Sequence, residues 1–347
     1  MGLFRRRPAD PAAGIAGFWS WWATDGAARC AGAIAAGQAE SLADVLGPAV
    51  EGVHRNLSWE LGPGVDSEHV LVVTAAGDPG LRSVARRWLL AAPAPDAVWE
   101  YADSRPVEQA LDWGLSVEGR TVDAADVVAV WTRTGRAPEL DVALHHPALA
   151  ALPEGTRGEL TFLLLDHALG ETAVETWVGA IDALVDPPAP QDDVQVGDLA
   201  ALRTAVQELA ADVGADSWAL LEATTADGQP VLAVARQPLR ATTAPHLDRH
   251  VRVELPYTDL TDAGLPGPAS LEPLREVEDD LGARLGSAGR LVAHETSGGV
   301  RTLHVYVDAT TDAADRVEQL AAGWPQGRPR TTVETDPGWR AVRHLRG

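Results

Sequence analysis

Between residues 250 and 340 the hydrophobic positions recur at two intervals, and the intervals alternate along the chain. In VRTLHVYVD, Leu303, Val305 and Val307 fall on one side and Thr302, His304 and Tyr306 on the other, the period of a strand with one face covered. Val251, Val253 and Leu255 repeat that period opposite Arg252 and Glu254. From Ser270, which is placed to cap it, a helix carries Leu271, Leu274, Val277, Leu281 and Leu285 on one stripe. GRLVAHETS, DAADRVEQLAAG and PRTTVETD complete the order strand, helix, strand, strand, helix, strand, which predicts the split βαβ of a ferredoxin-like domain. Ser297, Gly298 and Gly299 supply the positive φ that a tight hairpin turn requires.

The earlier chain reads less regularly. Phe18, Trp19, Trp21 and Trp22 share helical spacing and predict an aromatic core cluster. A second stripe, Leu42 to Leu57, contains Pro48, which is expected to kink or split it. HVLVVTAA and AVWEYADS read as strands around LRSVARRWLLAAP, a helix with Asp78 as cap and Pro79 at its first position. WGLSVEG, DVVAVWTR and ELDVALHH are strand candidates, the last two forming a hairpin, and Val174, Trp177, Val178, Ile181 and Leu184 predict one helix. DPPAPQDD lacks apolar residues other than one alanine and reads as a linker. Leu199, Leu202, Val206 and Leu209 form a helical stripe, and WALLEATTADGQPVLAVARQPL reads as two strands turning at Asp227-Gly228, available to extend the later sheet. The expected organisation is an α+β protein with a disordered arm (1–13), an N-terminal α+β domain (14–185), a linker (186–196) and a ferredoxin-like C-terminal domain (197–347).

Composition narrows the chemistry. A net charge of -22 disfavours nucleic acid and anionic membrane surfaces, and the small basic spots at Arg5 to Arg7 and Arg86-Arg87 read as solvated tail and helix surface. All 28 basic residues are arginine, which excludes Schiff-base and Walker-A lysine chemistry. Cys30 is the only cysteine; it excludes an intrachain disulfide and a Cys-rich zinc site, and it reads as a small buried hydrophobe. No export core or membrane-length apolar run is present, so a cytoplasmic location is expected.

Two sets of residues carry candidate chemistry. Asp166, His167, Glu171 and Glu175, on one continuous helix, could seat a divalent metal or supply an acid and a base, the pattern of a hydrolase or metal-dependent enzyme. The spacing is not HExxH, and Glu171 also suits the N-terminal turn of a helix. His145 and His146 end a strand and point to opposite faces, which disfavours chelation. The second set is the polar sheet face expected from Arg252, Glu254, His294, Thr296, His304 and Tyr306, an open platform suited to a protein or peptide partner. A non-catalytic interaction or regulatory module is the leading expectation; no cofactor is implied and the oligomeric state is left open.

GLPG, the acidic helix REVEDDL, the hairpin ETSGGVRTLHVYVD with Arg301 and Tyr306, and the late Asp336-Pro337-Gly338-Trp339 together resemble the bacterial domain of unknown function 695. The hairpin is one residue longer than that family's pattern, and the resemblance covers about the last hundred residues. It implies a fold and no activity.

Overall fold

The computed structural model describes residues 11–346 apart from 118, 134, 136, 190, 191, 215 and 227. Arg5 to Arg7 and most of the expected arm therefore lie outside the described residues. Residues 11–13 do not belong to an arm: they open a helix. The chain divides into two compact units, Met1–Pro106 and Val107–Gly347.

The first unit contains helices α1 (Pro11–Trp21), α2 (Ala27–Ala35) and α3 (Ala43–Glu51), strands β1 (Ser58–Pro63) and β2 (His69–Thr74), helix α4 (Arg82–Leu90) and strand β3 (Trp99–Ala102). The sheet order is β1-β2-β3, with β1 antiparallel and β3 parallel to β2. The aromatic cluster is core, as its spacing predicts: Phe18, Trp19, Trp22, Trp88 and Trp99 are buried together, and the Trp22 indole N–H donates to the Tyr101 hydroxyl. Cys30 is fully buried beside them, and burial pushes its thiol up to about 11. Helix α3 runs through Pro48 without a break. Asp78 accepts from the Gly80 N–H in a turn, and α4 begins only at Arg82.

The second unit begins with a two-stranded ribbon, β4 (Gly114–Val117) and β5 (Arg120–Asp123), and continues through β6 (Val128–Arg133), β7 (Leu140–His145), α5 (Pro147–Ala150), α6 (Glu154–Leu169), α7 (Glu171–Trp177), β8 (Val178–Leu184), β9 (Gln195–Gly197) and α8 (Leu199–Val213). The hairpin β6–β7 forms as expected, in a sheet ordered β8-β7-β6-β9. The single helix expected through Val174 and Leu184 stops at Trp177. Residues Val178–Leu184 are instead a strand parallel to β7. Val178 and Ile181, three residues apart, fit a helical stripe and would face opposite sides of a regular strand; a register shift against β7 sets them opposite Leu140 and Val142, which share a face.

The Pro-rich stretch is not a boundary between units. It closes with β9, which pairs with β6, and the Thr132 hydroxyl donates to the Asp193 carbonyl. Helix α8 then buries Leu199, Leu202, Val206 and Leu209 against Leu144, Leu164 and Val174. Its stripe belongs to the preceding core rather than to the later sheet.

The remaining elements are β10 (Ser217–Thr224), β11 (Pro230–Gln237), β12 (Arg249–Pro256), α9 (Pro268–Leu285), β13 (Gly289–Ser297), β14 (Val300–Val307), α10 (Ala313–Ala322) and β15 (Arg330–Thr335). They form a six-stranded antiparallel sheet ordered β10-β11-β13-β14-β12-β15. Leu274, Leu281 and Leu285 of α9 and Ala314 and Val317 of α10 pack with Val251, Val253, Leu303 and Val305, so both helices cover the same face. Gly298 and Gly299 take φ of 55° and 80°, the hairpin turn that their sequence predicts. Ser270 does not cap α9; its hydroxyl donates to Gln326 Oε1 and accepts from the Asp259 N–H.

Candidate functional site

The four residues of the enzyme reading are separated by a helix break. Gly170, with φ of 85°, ends α6 and starts α7, so Asp166 and Glu171 do not share one continuous helix. The Asp166 carbonyl accepts the Gly170 N–H at 2.8 Å, and the His167 ring lies 5.2 Å from Trp113 with Nδ1 3.6 Å from Glu108. Glu171 is 2% exposed at the start of α7, and Glu175 follows one turn later. Among the described residues no group of three or more His, Cys, Asp or Glu side chains stands close enough to hold a metal ion. His145 and His146 have separate structural contacts: one ring nitrogen sits 3.1 Å from the Leu184 carbonyl, and the other ring accepts the Ala148 N–H that opens α5.

The sheet face opposite the helices is not an open platform. Tyr306 is fully buried, and His250 and His304 are 2% and 3% exposed. Tyr306 belongs to a second core with Leu239, Ala244, Leu247, Trp339, Val342 and Leu345. Trp339 stacks on Tyr306 at 4.5 Å and its indole donates to the Leu247 carbonyl. The Tyr306 hydroxyl donates to Asp336 Oδ2 at 2.6 Å, and Asp336 also accepts the N–H groups of Arg340 and Ala341. Asp336 thus satisfies the first two N–H groups of the short 3-10 helix Arg340–Leu345, while Trp339 holds the N-cap position itself. Burial pushes the Tyr306 hydroxyl far up, and the Asp336 carboxylate adds to the push.

A polar chain runs beneath this latch. His250 Nδ1 is 3.2 Å from Glu334, His250 Nε2 is 3.1 Å from His304 Nδ1, and His304 Nε2 is 2.9 Å from Glu295. Glu295 meets His344 on the far side at 3.1 Å. At the contact between the two rings one nitrogen donates and the other accepts, the roles being set by the tautomers. Burial holds His250 below its ordinary value and the neighbouring His304 adds to this, while the His304 hydrogen bond brings Glu295 down to about 2.

His294 and Thr296 lie on the opposite face from His304, contrary to the strict alternation of the sequence. The register of β13 against β14 shifts between Leu291 and Ala293, so Val292 and Ala293 both enter the latch core. One extra residue turns every later side chain over. Glu295 therefore joins His304, whereas His294 and Thr296 face the helices. There Arg301 donates from Nε to the Thr296 hydroxyl at 3.0 Å and from Nη1 to Glu278 at 2.7 Å. Arg252 and Glu254 remain on the outer face as an ion pair at 2.7 Å.

On the helix side, α9 and α10 leave part of the widened sheet uncovered. Between α9 and the hairpin β10–β11 lies a cleft of about 490 Å³, lined by Trp218, Val234, Arg236, Arg290 and His294 and floored by Gly286 and Gly289. That volume is within the ordinary range of ligand sites. The Arg236 guanidinium lies 5.0 Å over the Trp218 ring and donates to Asp216 at 2.8 Å. Burial and then Arg236 hold Arg290 below the usual guanidinium value. His294 Nδ1 is buried without a hydrogen bond, and burial, Arg301 and His304 together bring the ring down to about 4. The sequence singled out His294 alone among these residues. Trp218 and Arg236, opposite each other in register, read only as strand positions.

These shifts give acid sensitivity a defined sign. His294 is depressed when folded, so its contribution is complete above the unfolded value near 6.5 and is lost as pH falls toward 4, at a cost of about 2–3 kcal/mol. The Glu295 contribution is lost between its ordinary value of 4.5 and about 2. Urea midpoints measured from pH 7 to pH 4 are expected to fall for the parent chain and to flatten in His294→Gln; parallel curves would contradict the assignment.

No curated protein matches this chain in sequence. Among solved structures, a crystal structure from Thermus thermophilus is similar over 86% of this chain and 38% of its own, at 13% identity and a TM-score of 0.17. This chain thus spans well under half the length of that structure. No helix among the described residues is long and apolar enough to cross a membrane. The polar cleft, the bulged strand and the Asp336–Trp339 latch all fall within residues 216–344, the region that matches a family of unknown function, DUF695.

Proposed function

We propose that the chain is a non-catalytic interaction module acting in the cytoplasm, that β12 to β15 with their two helices form a ferredoxin-like core, and that binding occurs at β10. The ferredoxin-like reading is supported by the order β13-β14-β12-β15, antiparallel throughout, with both helices on one face. The cytoplasmic reading is supported by the single cysteine.

One observation carries the binding site. Strand β10 lies at the sheet edge and exposes Trp218 (42%) and Leu220 (60%) on the side of the cleft. Edge strands are ordinarily blunted by lysine, proline, a bulge or brevity. Over its eight residues β10 has no proline, pairs with β11 without a shift in register, and carries one charge, Glu222. Its free N–H and C=O groups suit an extended peptide added as a further strand, whose alternate side chains would meet Trp218 and Leu220. Arg236 and Arg290 favour an acidic residue in that peptide.

Displayed random octapeptides panned against the whole chain test this reading. Enriched sequences are expected to alternate apolar residues with an acidic one and to lose at least ten-fold in affinity for Leu220→Lys, which installs a natural edge blocker at an exposed position. Equal affinity for the parent and Leu220→Lys would overturn strand addition at β10.

A further inference from the structure

We propose that the strand added to β10 is β10 of a second copy of this chain, giving a two-fold dimer with one continuous antiparallel sheet. This rests on the reading of β10 as a binding edge and names its occupant.

Trp218, Leu220 and Glu222 lie opposite Arg236, Val234 and Leu232 of β11, and Val234 is opposite His294, so all are on the helix side of the sheet. A two-fold axis normal to the sheet pairs even-numbered positions with even-numbered positions and keeps the helices of both copies on the same side. Three such registers bring the apolar residues of β10 together. Centring on Ala219 sets Asp216 opposite the second copy's Glu222, and like charges directly opposite are destabilising. Centring on Leu221 sets Leu220 opposite Glu222 and wastes the exposed leucine. Centring on Leu220 sets Leu220 against its own copy and Trp218 against Glu222.

In that last register charge and shape agree. The Arg236 guanidinium already lies over the Trp218 ring, extended from β11 toward the free edge. The second copy's Glu222 falls next in the same row, two strand spacings or about 10 Å from the Arg236 backbone, within the reach of an arginine and a glutamate side chain together. The two-fold axis makes this contact twice. On the other face Leu221 meets Ala219 and Ser217 meets Ala223, so each pair contains at least one small residue and the strands can close. An otherwise unprotected apolar edge is thereby covered, and the opposite charges choose one register among three.

Sedimentation velocity on the whole chain and cysteine cross-linking test the proposal together. The parent chain is expected to sediment as a dimer at micromolar concentration, and Leu220→Lys, which sets two cations at the axis, as a monomer. Glu222→Arg is expected to weaken association at least ten-fold. Leu220→Cys is expected to form a disulfide dimer under mild oxidation, because directly opposed strand residues stand about 4.5–5.5 Å apart, within disulfide range. Ala219→Cys is expected to cross-link far less, and Cys30 is fully buried and contributes no background. A monomeric parent chain at tens of micromolar would overturn the dimer, and peptide binding at β10 by that monomer would leave the strand-addition reading standing. A parent dimer that persists in Leu220→Lys, or cross-links equally through Ala219→Cys, would overturn the site and the register.

Discussion

Replacing Trp339 by alanine is expected to lower stability by about 3–5 kcal/mol, the usual cost of truncating a fully buried tryptophan. Trp339 is 1% exposed, stacks on Tyr306 and donates to the Leu247 carbonyl, so one substitution loosens three segments. Domains of this size are stable by about 5–15 kcal/mol, so the loss is a large share of the whole. The short helix Arg340–Leu345 should detach and the ring of Tyr306 should become accessible. Trp218→Ala, at an exposed position, is expected to change stability by less than about 1 kcal/mol. Urea unfolding followed by near-ultraviolet circular dichroism separates the two variants. A Trp339→Ala cost below that of Trp218→Ala would contradict the latch.

The second large effect lies on the helix side of the same sheet. Glu278→Ala is expected to cost about 3–5 kcal/mol, because it leaves the Arg301 guanidinium buried without its carboxylate. The two side chains are 17% and 8% exposed and meet at 2.7 Å. Burial pushes the Glu278 carboxyl up, and Arg301 opposes that push. Glu278→Leu combined with Arg301→Met removes both charges together and is expected to cost less than Glu278→Ala alone. A double variant as unstable as the sum of its singles would show that the two residues act independently.

Much of the C-terminal fold was legible in the chain because its periods are clean. Leu274, Leu281 and Leu285 recur at helical spacing, and Leu303, Val305 and Val307 alternate, so the two layers follow from the hydrophobic pattern. The α+β class followed directly. The face assignment of β13 did not follow, since a bulge at Val292 leaves no mark in a run of small and apolar residues, yet it moves His294 and Thr296 to the other side. The platform at His304 and Tyr306 failed for a different reason. Alternation shows which residues share a face, and it is silent on whether a distant segment closes over that face. Asp336 and Trp339 were visible as a motif, but their contact with Tyr306 spans thirty residues of intervening chain.

The same limit applies earlier in the chain. A proline-rich stretch ordinarily reads as a linker because it cannot continue a helix or a central strand. Here Gln195–Gly197 at its end add to the edge of a sheet, and α8 docks on the core before it. Asp166 and Glu171 looked like neighbours on one helix until Gly170 turned the chain between them. The cleft beside β10 was the least legible feature. It exists because two helices cover fewer strands than the sheet contains, a property of the assembly that no local stretch records.

Amide hydrogen exchange of the whole chain, compared between dilute and concentrated solution, distinguishes binding at β10 from binding on the face beneath the latch. Amides of Ser217–Thr224 are expected to slow by at least ten-fold on concentration, with no change at Arg249–Pro256 or Arg330–Thr335. Unchanged exchange in β10, together with new protection at β12 or β15, would contradict binding at β10.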